Sequence, residues 1–331
     1  MPDADRPRFD ILGIGNAIVD VLAPVDDAFI RRHDMRKGGM TLIDGARAEE
    51  IYAAMPPAQE TSGGSAANTC AVAAGLGASV AYFGRVADDQ LGAVFRHDIG
   101  AAGVHFPTAP LLGAQPTARC MILVTPDGQR TMNTYLGACV AFGTAQLDEA
   151  VIADSAVTYM EGYLFDEPAA QAAFIRAAQL AHQAGRQVSI TLSDAFCVDR
   201  HRAAFRDLVR NHIDILFANE AEICSLYECN TLADAVAQAR ADVKLAAVTR
   251  SEDGSLILRG SETVAVPAAP AQVVDTTGAG DAYAAGVLAA YTAGRGLEAC
   301  GRLGSLAAAE IISHFGARLQ RDLRPEAAAL G

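Results

Sequence analysis

Short apolar runs alternate with longer Ala-rich stretches along most of the chain, a pattern that predicts repeated strand–helix units around a largely parallel sheet. Phe9–Gly15 (FDILGIG) is a near-continuous apolar run, as a strand buried on both faces requires. Ser65–Gly75 is Ala-rich and predicts a helix, and Ser79–Val86 predicts a second strand. Strand Val157–Leu164 precedes helix Pro168–Ala184, and strand Gln187–Leu192 precedes helix Val198–Asn211. Asp214–Ala218 then leads into helix Glu220–Tyr227. Leu245–Thr249 reads as another buried strand, and Gly254–Val266 as an antiparallel hairpin turning at Arg259–Ser261. Gly278–Ala293 and Leu297–Phe315 close the series as two helices.

Two stretches break this rhythm. Val19–Thr61 is mixed, and Thr117–Tyr135 alternates apolar and polar positions around a TPDG turn, a hairpin signal. The expected organisation is therefore a large α/β domain over residues 1–16, 63–112 and 139–331. A discontinuous β lid over 17–62 and 113–138 would close on a substrate.

Composition narrows the function. The chain has 331 residues and a formal charge of −13, from 26 basic and 39 acidic side chains. That balance argues against nucleic acid and anionic membranes as partners, since both attract positive charge. No apolar run has the length of a membrane span, and the acidic start is unlike a signal or transit peptide. Seven scattered cysteines without a CxxC pair suit reduced thiols, and a cytoplasmic location is expected. Only Lys37 and Lys244 are lysines, and neither sits in a GxxxxGK[ST] or VAIK context, so a P-loop and protein-kinase chemistry are excluded. HExxH and GxSxG are also absent.

Four segments carry candidate chemistry. In VDTTGAGDAYAA (274–285), Gly278, Ala279 and Gly280 open a helix whose first turn holds Asp281. Bare backbone N–H groups at a helix start favour an anion, and phosphoryl transfer needs such donors. Asp281 beside them is placed to accept a proton from an attacking hydroxyl, although an acidic first turn is also an ordinary helix start. In SGGSAANT (62–69), Gly63 and Gly64 permit close backbone approach, Ser65 is a candidate N-cap, and Asn68 offers an amide one turn in. GIGNAIVD (13–20) has Ile18 where a dinucleotide fingerprint needs glycine, which leaves Asp20 as a carboxylate suited to a sugar diol. In FANEAE (217–222), Asn219 and Glu222 share a helical turn, compatible with Mg²⁺ held through water or with an Asn cap.

In this order, the four segments resemble the ribokinase-like (PfkB) family of carbohydrate and nucleoside kinases. The resemblance runs from about Ile11 to Gly316 and is most specific in SGGSAANTCAVAAGLGASVAYFGRVADDQLG and VVDTTGAGDAYAAG. GNAIVDVLAPVDDAFIRRHDM and FANEAE are similar to adenosine kinases within the family. The resemblance implies a ribokinase-like α/β fold, a central mainly parallel sheet flanked by helices with a small β-sheet lid. It also implies ATP-dependent phosphorylation of a purine nucleoside, ATP lying near Asn219, Thr249 and Gly254, and Mg²⁺ held through Glu222. Asp20, the Gly63–Gly64 backbone and Asn68 would bind ribose hydroxyls, and Asp281 would act as base beside the anion hole of Gly278, Ala279 and Gly280. Arg130 would reach the phosphates on closure. Some members bind a monovalent cation such as K⁺, for which Asp275 and Thr277 are placed.

The chain departs from the family at two positions. Ser251 stands where the family carries Gly after the Thr249 strand, and Met40 where adenosine kinases use a Gln. Cys120, Met132, Leu136 and Tyr163 are expected as apolar lid walls. Free sugars or sugar acids are the alternative acceptors, of the ribokinase, fructokinase or 2-keto-3-deoxygluconate kinase type. A non-catalytic binder of the same fold is the third reading, and a nicotinamide oxidoreductase the fourth. Exposed lid edges suit a monomer or a homodimer.

Overall fold

A computed structural model describes residues 6–113 and 115–330, so Ala114, Gly331 and residues 1–5 of the expected ranges lie outside the described residues. Two sheets organise the chain. The larger has nine strands, in spatial order Glu262–Val266, Ser255–Arg259, Leu245–Thr249, Ile215–Asn219, Gln187–Thr191, Ser155–Glu161, Phe9–Ile14, Val80–Phe83 and Val104–His105. Its pairings are parallel except those of the Ser255–Arg259 hairpin strand with its two neighbours.

Period-two alternation divides the core into two layers. Ile11, Val157, Tyr159, Ile215, Phe217, Leu245 and Ala247 pack beneath helices Ser65–Gly75, Ala279–Thr292 and Leu297–Ile311. Leu12, Ile14, Met160, Val188, Ile190, Leu216 and Val248 face helices Pro168–Gln183, Ala195–His212 and Glu220–Tyr227. Burial on both faces is why these strands read as unbroken apolar runs.

The smaller sheet has five strands, ordered Met40–Leu42, Arg130–Tyr135, Ala118–Val124, Ile18–Pro24 and Gln59–Gly63. Both stretches that interrupt the strand–helix rhythm build it. On one face Leu123 and Met121 are covered by Phe29, Ile30, Ala48 and Ile51 from two short helices. The opposite face carries Thr61, Asp20, Cys120, Thr134 and Leu42 in one row. Leu22, Ile122, Met132 and Met40 form the next row on that face.

Tyr163 lies outside this small sheet. It sits in the turn Gly162–Asp166 that follows the Ser155–Glu161 strand, so its expected place in a lid wall is corrected. No described helix is long and apolar enough to cross a membrane.

Candidate active site

The carboxyl ends of the parallel strands, where ligands bind in open α/β sheets, converge on two helix starts. Helix Ala279–Thr292 begins after Gly278, whose φ of +78° is left-handed and costs a glycine little. Asp281 lies in its first turn, half-buried. Its Oδ1 accepts a 2.6 Å hydrogen bond from Ser65 Oγ, and its Oδ2 accepts from Asn68 Nδ2 at 3.3 Å. Burial raises the Asp281 pKa, opposed by these two donors and by the Arg318 charge. The Ala279 N–H is turned back to Thr276 O at 3.2 Å, so the expected three-donor edge narrows to Gly278 and Gly280.

Helix Ser65–Gly75 is not capped by Ser65, as the sequence suggests. Its N-cap is Gly64, at φ +96°, where a Cβ would stand 2.0 Å from Asn16 O. That frees the Ser65 hydroxyl for Asp281. The neighbouring Gly63 lies against Asp20, with the position of a Cβ only 2.4 Å from Asp20 Oδ2. Burial pushes Asp20 up to about 6, countered by Arg318 and Arg130 and reinforced by Asp281. Asp20, Gly63, Gly64, Asn68 and Asp281 are thus one cluster, assembled from the small sheet and the two helix starts.

Arg130 reaches this cluster from the small sheet. Its Nη1 lies 2.7 Å from Asp275 Oδ2 and donates to Thr277 Oγ1 at 3.0 Å, while the guanidinium stands 5.4 Å from the Phe315 ring centroid. The cation that Asp275 and Thr277 face is therefore Arg130. Asp275 is thereby paired with an arginine across the two sheets.

Asn219 and Glu222 form a closed capping box. Asn219 Oδ1 accepts from Glu222 N at 2.9 Å, and Glu222 accepts from Asn219 N at 2.9 Å and from Asn219 Nδ2 at 2.7 Å. Burial lifts Glu222 to about 7, opposed by the Asn219 N–H and helped by Asp194. With both carboxylate oxygens engaged, Glu222 suits Mg²⁺ only through water, a fit for an ion that keeps its hydration and arrives on phosphates. Thr249 is the register partner of Asn219 at the same sheet edge. Gly254 has a backbone reason to be glycine, because a Cβ there would meet Val266 O at 2.1 Å. Ser251 takes a left-handed φ of +52°, a conformation that glycine enters with less strain.

Residues 39–323 match the family model described as pfkB family carbohydrate kinase. The chain belongs to the pfkB family of carbohydrate kinases. It is a phosphotransferase acting on a sugar or nucleoside, and the family implies ATP as donor. The two-sheet architecture is the ribokinase-like fold. Adenosine kinase from Sinorhizobium meliloti is 53% identical, with a TM-score of 0.90 over 98% of this chain and 100% of that one. The ATP-dependent ribose-1-phosphate kinase of Halopiger xanaduensis is 31% identical over 70% of this chain and 74% of its own. Adenosine kinase of Saccharomyces cerevisiae is 26% identical over 92% of this chain and 94% of its own.

Two site residues of this pfkB-family kinase escaped the sequence reading. Glu161, at the end of its strand, is fully buried, and its Oε2 accepts from Ala66 N at 2.8 Å. Its Oε1 accepts from Asn16 Nδ2 at 2.7 Å and Asn16 N at 3.2 Å. Glu161 thus caps the Ser65 helix in place of the side chain Gly64 lacks; burial raises its pKa to about 7 despite these donors. Arg318 donates to Asn68 Oδ1 at 2.7 Å and to Ser62 Oγ at 2.7 Å. Neither residue lies in a motif, so no local signal marks either one.

Proposed function

We propose that this kinase transfers the γ-phosphoryl group of ATP to the primary hydroxyl of a purine nucleoside, as an adenosine kinase does. The observation that carries the reading is the apolar face of the small sheet on which Asp20 lies. Leu22, Ile122 and Met132 form a row beside Asp20, and Met40 and Leu42 at its outer end are 48% and 54% exposed. A bare sugar is hydroxylated all round and gains little from such a wall. A nucleoside places its diol on Asp20 and lays a flat apolar base along it. The similarity to the Sinorhizobium adenosine kinase supports the same acceptor.

The residues divide the chemistry. Asp20 and the Gly63–Gly64 backbone hold the ribose hydroxyls, with Asn68 beside them. This presents the primary hydroxyl to Asp281, which takes its proton as the bond to phosphorus forms and the bond to the ADP oxygen breaks. Gly278 and Gly280 N–H groups receive the charge on the phosphoryl oxygens, aided by the helix dipole. Arg130 Nε and Nη2 are buried with no hydrogen-bond partner among the described residues, donors that a phosphate oxygen would satisfy on closure. Asn219, Thr249 and Gly254 line the nucleotide side. Glu222 would hold Mg²⁺ arriving with ATP through water, and the ion would neutralise phosphate charge.

The test is an acceptor panel with Mg-ATP, following ADP release on adenosine, inosine, guanosine, cytidine, ribose, ribose 1-phosphate, fructose and 2-keto-3-deoxygluconate. Preference for adenosine is expected. Preference for a free or phosphorylated sugar overturns the nucleoside assignment and leaves the kinase chemistry standing.

A further inference from the structure

The segment between helices Leu297–Ile311 and Arg324–Ala329 crosses the Ser65–Gly75 helix. Leu323 is fully buried, and Leu319 Cδ1 stands 3.0 Å from where a Cβ on Gly75 would lie. Both anchors fix Arg318 in the acceptor site. Its Nη1 donates to Asn68 Oδ1 at 2.7 Å and Ala317 O at 2.9 Å, and its Nη2 to the oxygens of Ser62. Ser62 is itself held by Asp98, which accepts from its N–H at 2.8 Å and from its hydroxyl.

We propose that Arg318 is a positioning residue for phosphoryl transfer, which orients the Asn68 amide on which Asp281 rests and keeps Asp20 and Asp281 charged together in one site. The proposal rests on the reading of Asp281 as base and Asp20 as diol ligand. A guanidinium has no acceptor, so only the Asn68 carbonyl can face it. An ionised carboxylate has no donor, so only the Asn68 NH₂ can face Asp281. Arg318 thereby permits a single amide orientation and, through it, fixes Oδ2 of the base.

The charges around Arg318 come from every side. Asp98 faces it from helix Gln90–Ala101, Asp20 from the small sheet and Asp281 from the Ala279 helix, while the Cys70 thiol on the Ser65 helix is kept neutral by burial. Burial lowers the Arg318 pKa against the pull of these groups, yet arginine stays charged. Arg130 is the second cation acting on Asp20, and Glu161 faces Asp281 from behind Ala66. Loss of the Arg318 charge leaves Asp20 and Asp281 repelling each other, with Arg130 to balance Asp20 and only the Ser65 and Asn68 donors to hold Asp281. Both would then hold protons to higher pH.

The experiment compares Arg318→Gln and Arg318→Lys with the native chain. Steady-state rates are measured from pH 5.5 to 9 with the best acceptor of the panel, and carboxyl carbons of Asp20 and Asp281 are titrated by NMR, assigned through Asp20→Asn and Asp281→Asn. For Arg318→Gln the acid limb of kcat/KM should move up by about one pH unit. The loss is expected to be largest at low pH and to shrink toward pH 9, with KM for ATP little changed. Arg318→Lys should keep the acid limb near its native position while raising the acceptor KM, because a point charge cannot hold Ser62 and Asn68 as a fork does. A loss equal at all pH values, with both carboxyl titrations unmoved, overturns the proposal and leaves Arg318 a structural tie. Retained turnover in Asp281→Asn would instead overturn the base assignment. The NMR titrations need no turnover, so they decide the charge-holding role separately.

Discussion

Arg130 and Asp275 form an ion pair between the two sheets, with Nη1 2.7 Å from Oδ2 and both side chains nearly buried. Arg130 belongs to the small-sheet hairpin and Asp275 to the turn that opens the Ala279 helix. The pair holds the hairpin over the very N–H groups proposed to receive the phosphoryl charge. In the proposed mechanism an arginine and a helix start together take the place of a P-loop lysine, which suits a chain with two lysines.

Arg130→Met should lower kcat by about 100-fold, the scale of losing one preorganised donor to a developing oxyanion. Arg130→Lys should recover only part of this, since a single ammonium cannot contact Asp275 and phosphate together. Initial-rate kinetics decide the matter, and an unchanged kcat in Arg130→Met removes the residue from the transition state.

Asp281→Asn should reduce turnover by roughly 10²–10⁴-fold, the usual share of a general base. Calorimetry should still show ATP binding and the melting curve should remain cooperative, because the amide fits where the carboxylate stood. Near-native turnover would mean that another group takes the proton.

Asp20, pushed up to about 6, must be ionised to accept two hydroxyl hydrogens. Protonation spreads as pH falls through that value, so the acceptor KM should rise about tenfold per unit below it while KM for ATP stays level. Asp20→Asn should raise the acceptor KM and flatten this dependence. A flat native profile from pH 5 to 8 would contradict the diol role.

The stability of the ligand-free chain should fall as pH rises from 5 to 8. Glu161 and Glu222 hold protons to about 7 in the folded state, whereas unfolded carboxylates lose them near 4. Between those values the folded state binds more protons, so rising pH favours unfolding. Thermal melts across this range provide the check, and a Tm that climbs with pH would refute it.

Glu161→Gln should destabilise the fold by about 1–3 kcal/mol, since an amide cannot accept from Ala66 and Asn16 at once without turning its own NH₂ on one of those donors. Urea denaturation measures it. Stability equal to the native chain would show that the Ser65 helix needs no such cap.

Much of the fold was legible in the chain itself. Helices Ser65–Gly75 and Glu220–Tyr227 and strand Leu245–Thr249 have the bounds the pattern predicts, because apolar period and flanking glycine or asparagine act within a few residues. The small sheet was visible as the place where the strand–helix rhythm fails. Its helical cover, Asp27–Arg32 and Gly45–Ala54, carried no such signal.

What the amino-acid sequence determined by itself was the set of local parts: buried strands, helix starts with bare N–H groups, and carboxylates beside them. Tertiary structure decided which parts meet. Ser65 lies 216 positions from Asp281 and Asn68 lies 250 from Arg318, and only the packing of helices across two sheets closes those distances. The same packing gave Asp275 and Thr277 an arginine partner, and brought in Glu161 and Arg318. Periodicity reports contacts within a turn or a strand; a charge recruited by burial from the far end of the chain leaves no trace in it.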